Sequence, residues 1–512
     1  MKIEDLLPDF RCIPGATKCW RAQVDAATWR LTAHQIWEKG GRLVALWGSD
    51  EGRTYCAHAA LALRSGLLWL TLPLSAQLPE YPELSDLFAC ANRMQRATFD
   101  LLGLCARGAD DTRSWLRHGA WPADVFPLRR SFNPLQEFTQ TPEQYRFVEV
   151  EGDGVHEIPV GPVHAGIIEP GHFRFSVVGE RVLRLEERLG YVHKGIEKRF
   201  EMLGIHEGYR LAGRISGDST VAYAWAYAMA AEGAAELTPP ARAIWLRALF
   251  LERERVANHL GDLGFIGNDA GLAVGLAQFS RLKEEWLRTN ADLFGHRYLM
   301  DTIVPGGVAV DLHTSGFATL HDEIVRVRAE VQRLKAIYDD HSGLQDRFAG
   351  TGQVTTELAR RLGLVGLAAR ASGLPLDLRA DLPWSPYEHL QVRPTIHADG
   401  DVLARVEVRF GEILRSLDLC GRILDQMPEG NFATLFASPV EGADGAGWVE
   451  GWRGEILVAL EAGANGSLRR VHAHDPSWQN WPLLEHAIIG NIVPDFPLIN
   501  KSFNLSYSGH DL

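Results

Sequence analysis

Arg214-Ile215-Ser216-Gly217-Asp218-Ser219-Thr220-Val221, running on into Tyr223-Ala224-Trp225-Ala226-Tyr227, is the stretch from which the rest of the chain can be read. Its counterpart lies at the far end, Asn504-Leu505-Ser506-Tyr507-Ser508-Gly509-His510-Asp511. Ser216 and Ser219 stand three residues apart, and Ser506 and Gly509 repeat that spacing. The chain between and around them has 512 residues, room for roughly two to four domains and a large core. With 46% hydrophobic and 23% charged residues it has the composition of a soluble globular protein. A net charge of −13 and the lack of any basic tract exclude wholesale nucleic-acid binding. No apolar run is long enough to span a bilayer; Leu61 to Leu78 contains Arg64 and Pro73 and reads as paired strands. Met1-Lys2-Ile3-Glu4-Asp5 lacks the basic-then-apolar order of a signal peptide, so the expected place is the cytoplasm. The six cysteines (Cys12, Cys19, Cys56, Cys90, Cys105, Cys420) form no Cys-x-x-Cys pair. They are expected as small buried hydrophobes, with no disulfide framework, zinc knuckle or iron–sulfur cluster of the chain's own.

Working outward, residues 1–135 read as a small α+β domain. A helix is expected from Ala26 to Lys39, strands at Arg42–Trp47 and Leu67–Leu74, and a second helix from Asn92 to Leu102 stopped by Gly103. Residues 136–150 are polar and carry Gln140 and Pro142 nearby, a linker. In the remainder, 151–512, Gly152-Asp153-Gly154 signals a hairpin between Phe147–Glu151 and Val155–Val160. A second turn is expected between Val177–Gly179 and Arg181–Leu185. Thr220 to Gly233 is an Ala-rich helix, and Pro239-Pro240 opens another from Ala241 to Leu260, on which Glu252, Arg255 and His259 share one face. Further helices are expected over Phe279–Leu293 and Asp322–Tyr338. Arg370, Asp377, Arg379 and Asp381 crowd one strip, which points to internal ion pairs or a polar pocket.

The order of these motifs resembles a known family. Gly161-Pro162-Val163-His164, Gly190-Tyr191-Val192-His193-Lys194-Gly195-Ile196-Glu197-Lys198, the Val365–Asp381 strip and the C-terminal run through Asp495-Phe496-Pro497 are similar to group 4 nickel-iron hydrogenase large subunits of the formate-hydrogenlyase type. More distantly they resemble the 49 kDa-like (D) subunit of respiratory complex I. Tyr81-Pro82, Thr98-Phe99-Asp100-Leu101-Leu102-Gly103 and Pro127-Leu128-Arg129-Arg130 resemble the 30 kDa-like (C) docking subunit, with Thr98 and Arg130 departing from its pattern. The resemblance implies an α+β chain: a small N-terminal α+β docking domain, then a mostly α-helical hydrogenase large-subunit-like domain that begins with a β-hairpin region.

In such hydrogenases two Cys-x-x-Cys pairs hold nickel and iron. Here Ser216, Ser219, Ser506 and Gly509 occupy those places, and Tyr223 replaces a histidine. Hydroxyls are poor ligands where soft thiolates select the metal, so no nickel–iron centre and no hydrogenase activity of the chain's own are expected. Two functions then stand. In the first, quinone or a similar acceptor is handled at the former metal cavity, with His172, Asp218, Tyr223, Arg370 and Asp377 as candidate residues. His172 matches a histidine at the quinone headgroup in complex I, while the usual headgroup tyrosine is Gly217 here. In the second, the chain is a non-enzymatic coupling or scaffold subunit. Both imply a hydrogenase-type small subunit carrying a four-iron cluster, ion-translocating membrane subunits as partners, and a peripheral place on the cytoplasmic face of the inner membrane. Nothing resembles a nicotinamide site.

Overall fold

Residues 3–512 are described by a computed structural model. The first fifth of the chain folds around a five-stranded sheet in the order Arg11–Ile13, Cys19–Gln23, Gly66–Leu74, Tyr55–Leu63, Arg42–Asp50. Only the Cys19–Gln23 and Gly66–Leu74 pair is parallel. The apolar stretch near residue 61 does form paired strands, antiparallel through a tight turn at Arg64-Ser65. Asp25 caps the helix Ala26–Glu38 by accepting a bond from Thr28 N at 2.7 Å. Gly103, in the left-handed region at φ 74°, ends the helix Ala91–Leu102. Four cysteines are buried, but Cys12 is exposed and Cys105 half-buried, because both sit on short edge strands.

The expected Gly152-Asp153-Gly154 hairpin is not what forms. Residues 147–151 make no strand; Val155–Val160 pairs instead with His172–Val178, which pairs in turn with Arg181–Arg188. The reason lies in the side chains. Phe147 is taken up by the His172 ring at 5.1 Å and the Arg174 guanidinium at 4.4 Å, and Val148 N donates to Glu186 at 2.8 Å. The turn at Gly179-Glu180 closes as expected, with Val178 opposite Arg181.

Five long helices form the body: Thr220–Ala234, Ala241–Asp269, Ala273–Phe294, Thr314–Asp340 and Val402–Gln426. The second extends nine residues past the expected Leu260 end, since Gly261, Gly264 and Gly267 face packed neighbours rather than breaking it. Val402–Gln426, capped by Asp401 through Ala404 N at 2.8 Å, lies against it. A third sheet, Asp444–Glu450, Glu455–Ala462 and Leu468–His474, is antiparallel throughout. The Thr220–Ala234 helix lies on it with unusual closeness. A Cβ at Gly447 would fall on the Ala226 carbonyl, 2.7 Å from its carbon, and one at Gly445 would fall on that of Ala230. Glycines on alternate strand positions thus meet one helical stripe, Ala222, Ala226 and Ala230, and let the two backbones touch.

The main apolar core runs from Trp29 and Trp69 near the first sheet to Trp481 and Phe503 near the C-terminus. Ion pairs cross between the halves: Arg42 with Glu455 at 2.6 Å, Arg21 with Glu461 at 2.7 Å, and Arg93 with Glu187 at 3.1 Å and Glu485 at 2.7 Å. Trp47 stacks on His472 with ring centres 4.7 Å apart. Among the described residues no helix is long and apolar enough to cross a membrane.

Candidate functional site

The two motifs quoted at the outset meet. Ser216 and Ser219 flank a single 3-10 turn, Gly217–Ser219, before the Thr220–Ala234 helix. Ser506 caps the last helix, Tyr507–Asp511, by accepting a bond from Gly509 N at 2.9 Å. Across 290 positions of sequence, the Ser216 and Ser506 hydroxyls share a hydrogen bond of 2.9 Å. Ser216 is also placed to donate to Asp218 at 2.7 Å, and Ser219 approaches the same carboxylate at 3.5 Å.

Asp218 is clamped by Arg453, whose two terminal nitrogens donate at 2.8 and 2.5 Å while its Nε donates to Asn504 O at 2.5 Å. Such a forked pair is the strong form of a charged hydrogen bond. Confinement works to raise the pKa of Asp218, but the Arg453 charge and bonds overcome it and hold the carboxyl at about 2. Gly217 is exposed and the Asp218 side chain keeps 38% of its area, so this corner opens on the surface.

The opposite corner is filled. A Cβ on Gly509 would lie 2.7 Å from Asp475 Cγ and 2.9 Å from Ser506 Oγ. Asp475 is itself buried, accepting from Tyr223 OH at 2.7 Å and Ser477 N at 2.8 Å. The four positions therefore present three hydroxyls and one bare backbone, with a carboxylate standing where a fourth side chain would point. This donor set does not fit a group held by four soft thiolates.

Of the other candidate residues only Tyr223 reaches this site, through its bond to Asp475. Tyr223 is fully buried, and burial first, then the Asp475 charge, raises its pKa well above the usual phenol value. His172 sits at the start of its strand, its Nδ1 3.4 Å from Gly161 O and its Nε2 accepting from Arg174 at 3.4 Å; burial lowers its pKa, so the ring is neutral near pH 7. No bond or ring contact joins it to Tyr223 among the described residues.

Arg370 and Asp377 belong to a separate buried network. Arg370 binds Glu412 at 2.7 Å and Glu450 at 2.9 Å. Arg379 binds Asp377 at 2.7 Å and Glu252 at 2.9 Å, and Glu252 also accepts from Ser416 at 2.6 Å and Tyr387 at 2.7 Å. Arg255 spans Glu252 and Glu412, and His259 reaches Glu412 at 2.8 Å. On this face Glu252 and Arg255 are ion-paired, while burial lowers the pKa of His259, which meets Glu412 through a hydrogen bond. Burial, then the Asp377 charge, lifts Glu450 to about 7. Glu254 on the same helix accepts from Val221 N and Ala222 N, and burial lifts it to about 8. The network reaches the Asp218 corner through Trp452, whose ring lies 5.9 Å from His259 and 3.9 Å from the Arg453 guanidinium, and through Asn258, which donates to Asp218 O at 2.7 Å.

Sequence reasoning missed Arg453, Asp475, Glu412, Glu450 and Glu254. Each finds its main partner far along the chain or in a backbone amide, and no local pattern announces that. Glu51, His58 and Glu461 also converge as possible metal ligands. Arg469 bonds both carboxylates and Arg21 bonds Glu461, so that cluster is already neutralised.

Known proteins are similar to this chain in sequence and fold. Residues 22–138 match the family model for the 30 kDa subunit of respiratory-chain NADH dehydrogenase, and 269–443 the model for its 49 kDa subunit. The chain is 31% identical to formate hydrogenlyase subunit 5 of Escherichia coli, over 93% of this chain and 85% of that one. It is 32% identical to hydrogenase-4 component G of the same organism, over 94% and 86%. A chain in the structure of an archaeal respiratory complex, the membrane-bound sulfane sulfur reductase, superposes with a TM-score of 0.66 at 24% identity, over 70% of this chain and 99% of that one, which speaks for the fold.

Proposed function

Because the chain belongs to the family that joins formate-hydrogenlyase-type hydrogenase large subunits to the 49 kDa and 30 kDa subunits of respiratory NADH dehydrogenase, we propose that it holds the hydrogenase-like, catalytic-position place in a membrane-associated electron-transfer complex without binding nickel and iron. It acts there as a coupling subunit, seated between an iron–sulfur small subunit and ion-translocating membrane subunits on the cytoplasmic face. The observation that carries this reading is the closure of the former metal position: Ser216 bonded to Ser506, and Asp475, itself bonded to Tyr223, packed against Gly509. A thiolate restored at 509 alone would have no room. What the place offers instead is fixed charge, Asp218 held ionised by Arg453, with Trp452 between it and a dense ion-pair network in the helical core.

A second reading, reduction of quinone or a similar acceptor at this place, draws support from the open rim at Gly217 and Asp218. One preparation separates the two. The purified complex is assayed for nickel by elemental analysis and for quinone by solvent extraction. Coupling alone gives neither above background. Stoichiometric nickel sinks the proposal. Stoichiometric quinone, with acceptor reduction slowed by His172→Ala or Asp218→Asn, replaces it with the second reading.

A further inference from the structure

The helix Val402–Gln426 and the segment 391–395 line an open polar pocket of about 160 Å³. Its lining is mostly charged: Arg379, Arg393, Arg415 and Arg422 against Glu412 and Asp418. Arg415 and Arg422 are seven positions apart on one helix, so they share a face.

The two carboxylates do not neutralise these arginines, because each is engaged elsewhere. Asp418 binds Arg328 at 2.6 Å, and Glu412 binds Arg370 at 2.7 Å and His259 at 2.8 Å. Arg379, on the floor, is spent on Asp377 and Glu252. Among the described residues Arg393 and Arg415 make no hydrogen bond or ion pair, and the single bond of Arg422 goes to Leu390 O at 3.0 Å. Three exposed arginines thus line one cavity without an ion pair of their own. This happens in a chain with 65 acidic against 52 basic residues. Concentrating like charges costs energy unless an anion joins them.

We propose that this pocket is a binding site for a small, multiply charged oxyanion of the phosphate or polycarboxylate type. The planar guanidinium fork matches both kinds of oxygen pair. The pocket has room for a small anion at the arginines. The Thr395 hydroxyl beside the arginines adds an uncharged donor. The floor is the outer edge of the ion-pair network, through Arg379 and Glu412, so the bound anion sits directly over the charged core of the molecule.

The test uses the full chain, purified free of phosphate, titrated calorimetrically with inorganic phosphate and separately with citrate. Expected is saturable one-site binding of at least one of them, weakened tenfold or more in R415Q/R422Q and unchanged in R333Q, an exposed arginine elsewhere. Which anion binds more tightly assigns the class. A second measurement needs no variant: modification of the wild-type chain by phenylglyoxal, read by mass spectrometry. The anion should shield Arg393, Arg415 and Arg422 and leave Arg333 reactive. The proposal is overturned if neither anion gives saturable heat or shielding, or if Arg333 is shielded equally. It is overturned too if the three arginines are already unreactive in the assembled complex and no anion binds there, which would assign them to an acidic segment of a partner subunit.

Discussion

Gly509→Ala adds one methyl group at the place where the closed site is tightest. The new carbon would stand 2.7 Å from Asp475 Cγ and 2.9 Å from Ser506 Oγ. Asp475 is 1% exposed and cannot swing into solvent. Forcing a methyl into a packed interior costs about 1–3 kcal/mol. If the carboxylate retreats instead, it stretches its bond from Tyr223 (2.7 Å), and a hydrogen bond to a charged group contributes roughly 1.5–3 kcal/mol. Alanine's better helix propensity returns at most ~1 kcal/mol. By either route the expected net loss is about 0.5–3 kcal/mol. Gly217→Ala serves as the control, since a Cβ there meets nothing within 4 Å. Urea and thermal midpoints of the two variants are compared with wild type. Tyr223→Phe frees Asp475 to move, so the double variant Y223F/G509A should lose less than the sum of its parts. Equal midpoints for G509A and G217A would refute the idea that Asp475 fills this corner, and strict additivity would refute its coupling to Tyr223.

Other expectations follow from the same geometry. Gly447→Ala sets a methyl group on the Ala226 carbonyl and should destabilise by about 3 kcal/mol, the top of the overpacking range, seen as a lowered unfolding midpoint; an unchanged midpoint argues against the close helix–strand contact. Arg379→Met leaves Glu252 and Asp377 buried without their shared partner and should cost about 3–5 kcal/mol, checked by denaturant titration. The pH profile has two opposite parts. Glu254, near 8 when folded against an ordinary 4.5, favours the folded state below about pH 4.5, and that contribution is lost as the pH rises through 8; E254Q should show a flatter stability profile over that window. Asp218, near 2 against 3.8, contributes above about pH 3.8 and loses its contribution as the pH falls through 2; R453M should remove this acid-side loss.

The central helices were legible because Pro239-Pro240 and runs such as Leu246, Leu249 and Val256 carry their own start signal and period. Their true ends were not, because Gly261 and Gly264 look like breakers until a neighbouring helix is packed on them. The third sheet escaped notice for a related reason. Asp444-Gly445-Ala446-Gly447 reads as a loop, and Glu450, Glu455 and Glu461 read as surface, yet all seven residues are buried. Their burial is made tolerable by Arg21, Arg42 and Arg370, hundreds of positions or a whole helix away. For the site, the four substituted positions were visible in the sequence, and so was their convergence by resemblance. What fills the space between them was not, since Asp475 belongs to a segment whose pattern, Asp-Pro-Ser, signals only a helix start.

The ion pairs that cross from the first sheet to the C-terminal one have a consequence for how such a protein can be divided. Glu455, Glu461, Glu187 and Asp444 lie almost wholly out of water, and each answers to an arginine supplied by the first hundred residues. A gene cut in the polar stretch near residue 140 would yield two polypeptides that each bare unmatched charge on what is now their common interior. Each piece would also bare part of the shared apolar core, so the two are expected to associate when made together.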